Sequence, residues 1–109
     1  MEQYRQGDVW IERIYNVPGD LTPVARVGGR IILAAGEVTG HHHAVVEPDT
    51  ELFTISGVLA EAERILRVGA GGATVVHEEH GTIALPPGDY RVIIQQEWTD
   101  EREPRRVLD

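Results

Sequence analysis

The chain has 109 residues, with 18 acidic side chains against 10 basic ones and a formal charge of −8. It has no cysteine and no lysine, which excludes disulfide frameworks, zinc ribbons and thiol catalysis and points to a reducing cytoplasm. The acid excess excludes a general DNA- or RNA-binding surface, because neutralising many phosphates requires a basic stripe. Residues 1–13 are polar and no apolar run is long enough to cross a bilayer, so a soluble protein without a membrane partner is expected. This length suffices for one domain that buries roughly two thirds of its unfolded surface.

Gly and Pro punctuate apolar runs of four to eight residues, the pattern of hairpins. Val9 to Tyr15 is a first strand, after which Pro18-Gly19 supplies the fixed and the positive φ of a type II turn. Pro23 to Val27 and Arg30 to Ala34 flank Gly28-Gly29, a two-residue link suited to a primed turn. His41 to Glu47 and Glu51 to Ser56 are strands on either side of Pro48-Asp49. The segment Val58 to Val68 has helical and extended features, and is read as a bend followed by a strand from about Glu63. Ala73 to His77 is strongly extended. Residues 78–81 form a tight turn with Gly81 left-handed, leading to Thr82 to Leu85. Pro87-Gly88 centres another type II turn before the longest strand, Tyr90 to Trp98. In that strand Tyr90, Val92, Ile94 and Trp98 share one face, while Arg91, Ile93, Gln95 and Glu97 share the other, available to line a site.

The fold expected is all-β, a compact antiparallel barrel or sandwich with at most one short helix. Residues 1–98 form the domain and 99–109 a charged tail, which is either frayed or adds an edge through Val107 and Leu108.

Concentrated chemistry lies in His41-His42-His43 and His77-Glu78-Glu79-His80. Period two puts His41 and His43 on one face of a strand, with Val45 and Glu47, and turns His42 to the other face as an ordinary strand side chain. His77 closes a strand and His80 lies in the next turn, so both can point to one rim. Glu78 beside them can orient an imidazole and favour its charged form. All ten cations are Arg. Arg26, Arg30, Arg64, Arg67 and Arg91 lie in the folded body, where forked guanidinium donors can hold one or two phosphates.

Two chemistries fit. A divalent metal requires three or four ligands, which His41, His43, Glu47 and His77 supply. His-x-His followed by Glu resembles half of the cupin metal motif, but Pro86-Pro87-Gly88 is followed by no His. The alternative needs no cofactor: one imidazole takes the proton of a ribose 2′-OH, a second protonates the leaving 5′-oxygen, and an Arg steadies the phosphorane.

The strings Gly36-Glu37-Val38-Thr39-Gly40-His41-His42-His43, His77-Glu78-Glu79-His80 and Leu85-Pro86-Pro87-Gly88-Asp89-Tyr90-Arg91-Val92 resemble a family of short bacterial and phage proteins. That family is placed with viral and cellular ring nucleases, which cut the cyclic oligoadenylates of type III CRISPR signalling. The resemblance covers the chain from near Gln6-Gly7-Asp8-Val9 onward. It implies a metal-independent phosphodiesterase, a homodimer straddling a small cyclic nucleotide, and a cut leaving a 2′,3′-cyclic phosphate. With it, His41 or His43 is expected as base and His77 or His80 as acid. Glu78 orients the acid, and Arg67, Arg91 and Gln95 contact the ligand. A third expectation is a non-catalytic module that binds a ligand or a protein.

Overall fold

Period-two alternation of large apolar side chains governs the architecture, because each strand then has one face that must leave water. A computed structural model describes residues 2–35, 42–59, 62–94, 96–98 and 104–106, and among them there is no helix. Twelve strands form: β1 (Gln3–Gln6), β2 (Val9–Ile14), β3 (Leu21–Pro23), β4 (Ile31–Ala35), β5 (His42–Val45), β6 (Thr50–Ile55), β7 (Glu63–Val68), β8 (Ala73–Val76), β9 (Ile83–Leu85), β10 (Gly88–Ile94), β11 (Gln96–Trp98) and β12 (Pro104–Arg106). A six-stranded sheet runs β1-β2-β10-β7-β6-β3 and a four-stranded sheet β4-β5-β8-β9, while β11 pairs with β12. All described pairings are antiparallel.

The two larger sheets pack as a sandwich and neither closes into a barrel. Val9 and Ile11 of β2, Leu52 of β6, Leu66 and Val68 of β7, and Tyr90, Val92 and Ile94 of β10 form one wall of the core. Ile31, Leu33, Val45, Val75 and Leu85 of the smaller sheet form the other. Fully burying a side chain of this size contributes about 1.5–3 kcal/mol, so this layer dominates the stability of the fold. The larger sheet also has apolar residues on its opposite face, where Phe53, Ile55 and Ile65 are covered by Ile14, Val17 and Leu21.

The strand beginning at Glu63 is where the sequence places it, and β2 ends one residue earlier than expected. Gly28 and Gly29 have φ of 59° and 79°, the double left-handed conformation of a type I′ turn, and Val27 and Arg30 bridge across it. The arm before this turn is not the expected strand Pro23 to Val27. Leu21–Pro23 belongs to the six-stranded sheet, and the chain crosses to the other sheet through the Val27–Arg30 bridge. In the Pro18-Gly19 turn the left-handed residue is Asp20, at φ 56°, an acid whose short side chain tolerates that region. Gly81 is not left-handed either, since β8 ends at Val76 and a longer loop reaches β9. The expected strand Tyr90 to Trp98 begins earlier, at Gly88, and is divided between β10 and β11. Residues 104–106 of the tail pair with β11 rather than fray, while Val107 and Leu108 lie outside the described residues.

Glu47, just beyond β5, ties the smaller sheet together. Partial burial alone would raise its carboxyl, but hydrogen bonds from the backbone and hydroxyl of Thr74, and from the N–H groups of Glu47 and Val46, outweigh that effect and hold it below the ordinary value of 4.5. A carboxyl depressed by folding stabilises the native state above its unfolded pKa, and that contribution is lost as pH falls through the folded value. Thr74→Val should therefore be less stable than the parent at neutral pH in urea unfolding. The gap should close as pH falls below the ordinary glutamate range; a gap independent of pH would contradict this linkage.

Candidate functional site

The site begins at the β1–β2 hairpin. Gly7 has φ 58°, the left-handed first position of a two-residue turn, and the turn leaves Gln6 and Asp8 facing the smaller sheet, both almost wholly buried. Two carbonyls fix the Gln6 amide: its Nε2 donates to Val75 O at 3.3 Å and to Gly81 O at 2.7 Å. Its Oε1 therefore faces the ring of His43, whose Nδ1 lies 2.8 Å away. On the other side of that ring, Nε2 is 3.5 Å from Asp8 Oδ1.

Alternation along β5 turns His43 inward, to 0% exposure, and His42 outward. His77, just past β8, is 8% exposed and packs against His43, with ring centroids 4.3 Å apart and planes tilted by 31°. His80 lies 4.7 Å from His77 and 6.0 Å from His43. The two histidine-bearing stretches thus meet in one close cluster of three rings. The backbone N–H of Glu79 donates to His77 Nδ1 at 3.0 Å, so a neutral His77 carries its proton on Nε2. Glu78 Oε1 accepts from the backbone N–H of His42 at 3.0 Å, which fastens the segment after β8 to β5.

A pocket of about 240 Å³ opens beside this cluster, lined by Arg30, His42, Val76, His77 and Glu78. Arg30 arrives from the Gly28-Gly29 turn. One cation, two imidazoles and a carboxylate around one opening form a surface suited to a compact anion and to proton transfer.

The expected site residues divide. His43, His77 and His80 come together, with Glu78 beside them. His41 and Gln95 lie outside the described residues. His43 is fully buried and has no exposed surface to offer a ligand. Arg67 and Arg91 stand on the face of the larger sheet turned away from the histidines. Arg67 pairs with Asp89 at 2.9 Å, and Arg91 pairs with Glu12 at 3.1 Å and Glu63 at 3.7 Å. They belong to that ionic face and do not reach the pocket. Glu47 is bonded to Thr74, beyond the other end of β5 from His43. Among the described residues no three His, Asp or Glu are placed to hold a metal ion. Glu47 stands away from the histidines, so the metal set His41, His43, Glu47 and His77 is not brought together among the described residues.

The residues missed by sequence reasoning are Gln6, Asp8 and His42, while Arg30 was among the arginines expected to hold phosphate but not among those assigned to the ligand. Gln6 and Asp8 flank a turn glycine, where polar residues are usually solvated, and only their position against the apolar Val9 hinted at burial. His42 was assigned an outward strand position, which is where it stands; what lay beyond local pattern is that this face holds the pocket.

Replacing Gln6 by Leu preserves volume but leaves the His43 Nδ1–H and two carbonyls without their partner. Such a loss costs about 1–3 kcal/mol for each group left unsatisfied. The Gln6→Leu variant should therefore unfold at clearly lower urea concentration, whereas an unchanged midpoint would show that the amide is not part of the framework.

No curated protein and no solved structure matches the chain. Residues 5–95 match the model of a domain of unknown function, DUF8820, and the chain belongs to that family.

Proposed function

We propose that this protein is a metal-independent phosphodiesterase that opens small cyclic oligoribonucleotides, cyclic oligoadenylates in particular, by histidine acid–base chemistry. The observation that carries the reading is the pocket in which His42 and His77 share one opening with Arg30. His42 takes the place expected of His41 or His43, and Arg30 that expected of Arg67 and Arg91. The substrate class rests on the resemblance of the histidine-bearing strings to ring nucleases, and on the charge of −8, which disfavours long polyanions but not a compact one at a local cation.

In this reaction one imidazole accepts the proton of a ribose 2′-OH, the O2′–P bond forms and the P–O5′ bond breaks. The second imidazole gives its proton to O5′, leaving a 2′,3′-cyclic phosphate and a 5′-hydroxyl; exchange with water resets the pair. Arg30 donates to the non-bridging oxygens as their charge grows. His80 and Glu78 hold the loop that carries His77. A symmetric homodimer would let two such pockets face one ring.

Incubation with cyclic oligoadenylates between about pH 5 and 8, with and without EDTA, tests the reading. The expected product carries a 2′,3′-cyclic phosphate and forms equally with chelator present. His42→Ala and His77→Ala should each lower kcat by about 100-fold or more, while Arg67→Ala and Arg91→Ala leave it within about threefold. No product at any pH defeats the proposal. Product that chelator abolishes transfers it to a divalent metal, and binding without product to a non-catalytic module.

A further inference from the structure

His43 takes no direct part in the reaction proposed above, yet it is the most completely enclosed ionisable ring of the cluster. Its two nitrogens face two oxygens. The Gln6 amide cannot turn around, because its NH₂ group already serves the carbonyls of Val75 and Gly81, which only accept. Oε1 therefore stays on His43 Nδ1, and that nitrogen carries a proton. Asp8 Oδ1 lies 3.5 Å from Nε2, with its side chain 2% exposed. An imidazole whose two nitrogens both point at acceptors is satisfied when it has two N–H groups.

We propose that His43 is a buried imidazolium, set by Asp8 and Gln6, which acts as a positioning residue: it presents positive charge behind His77 and so selects anions at the neighbouring pocket. The selection of anions rests on the reading of that pocket given above. Among the described residues, those facing His43 include Asp8 and Gln6 from the β1–β2 turn and His77 and His80 from the loop after β8. His77 Nδ1 accepts from the Glu79 N–H, which holds that ring in place against His43. The chain carries a net −8, and His43 and Arg30 would place two cationic groups at one opening, against the carboxylates of Glu78 and Asp8. Burial makes the His43 charge effective, since a surface histidine at the same distance would be screened by water and salt.

The charge state can be read without turnover. Long-range ¹H–¹⁵N spectra of the imidazoles in the ¹⁵N-labelled full chain should show both His43 nitrogens protonated from about pH 5 to 8. In Asp8→Asn one of them should be unprotonated. Pyrophosphate, as a compact anion, should shift the resonances of His42 and His77, and His43→Gln should weaken its binding by about tenfold. Should His43→Gln or Asp8→Asn fail to fold, the parent spectrum and the pyrophosphate titration decide alone. A neutral His43 in the parent protein overturns the proposal, as does pyrophosphate that leaves His42 and His77 unshifted. A charged His43 and an anion-binding pocket in a chain that never cleaves cyclic oligoadenylate would defeat the phosphodiesterase reading and keep this one.

Discussion

The contact on which the rest of the structure depends is the polar pin between the sheets, His43 held between Gln6 and Asp8. The sandwich core around it is apolar, and apolar packing alone tolerates rearrangement as long as volume and pattern are kept. A buried ring bonded to Gln6 at Nδ1 and 3.5 Å from the Asp8 carboxylate at Nε2 does not tolerate it, because a shift of β5 against the β1–β2 turn leaves donors or acceptors unmatched at a cost of about 1–3 kcal/mol each. Gln6 extends the constraint by bonding Val75 and Gly81, one at each side of the His77-bearing loop. Through one amide, the hairpin at the start of the chain thereby fixes where the second histidine stretch lies against the first.

That geometry explains why the pocket sits where it does. His42 and His43 are adjacent in β5 and point to opposite faces, so a ring that pins the core automatically sets its neighbour at the surface. His77 leaves β8 at the level where β5 carries the histidines, since Ala44 pairs with Val76. Its ring can then touch His43 on one side and still line the opening that His42 and Arg30 share. Glu78 closes the arrangement by bonding the backbone of His42. The inner imidazole is enclosed, and His42 and His77 border the opening.

Much of the fold was legible because strand period and turn chemistry are local. The β7 start at Glu63, the paired glycines at 28 and 29, and the alternation of Tyr90, Val92 and Ile94 all follow from neighbours in the chain. What was not legible depends on partners far away. Nothing local says that Leu21–Pro23 joins β6 while Arg30 crosses to the other sheet. The same holds for the arginines: period two places Arg91 opposite Tyr90 and Val92, but only the packing shows that Tyr90 faces the second sheet and Arg91 does not. Apolar residues on both faces of β7, with Leu66 in the core and Ile65 in the outer cluster, remove the pattern that would have distinguished them. Gln6 and Asp8 were hidden for the opposite reason, since polar residues beside a turn glycine are ordinarily wet.

A structural pin is the simpler account of three clustered histidines, and energetics argue against it as the whole account. Removing a His and an Asp from water is costly, and apolar residues of similar volume often hold two sheets together at least as well. A core in which Val9, Val45 and Val75 already pack to completion had that solution available in the same layer. The pin is instead placed where its outer neighbour, His77, reaches a pocket that also holds an arginine and a second imidazole. A polar group in the core that is costly for stability but continuous with an ionisable opening fits the role proposed above, in which it fixes a ring and a charge where a mobile surface side chain would hold neither.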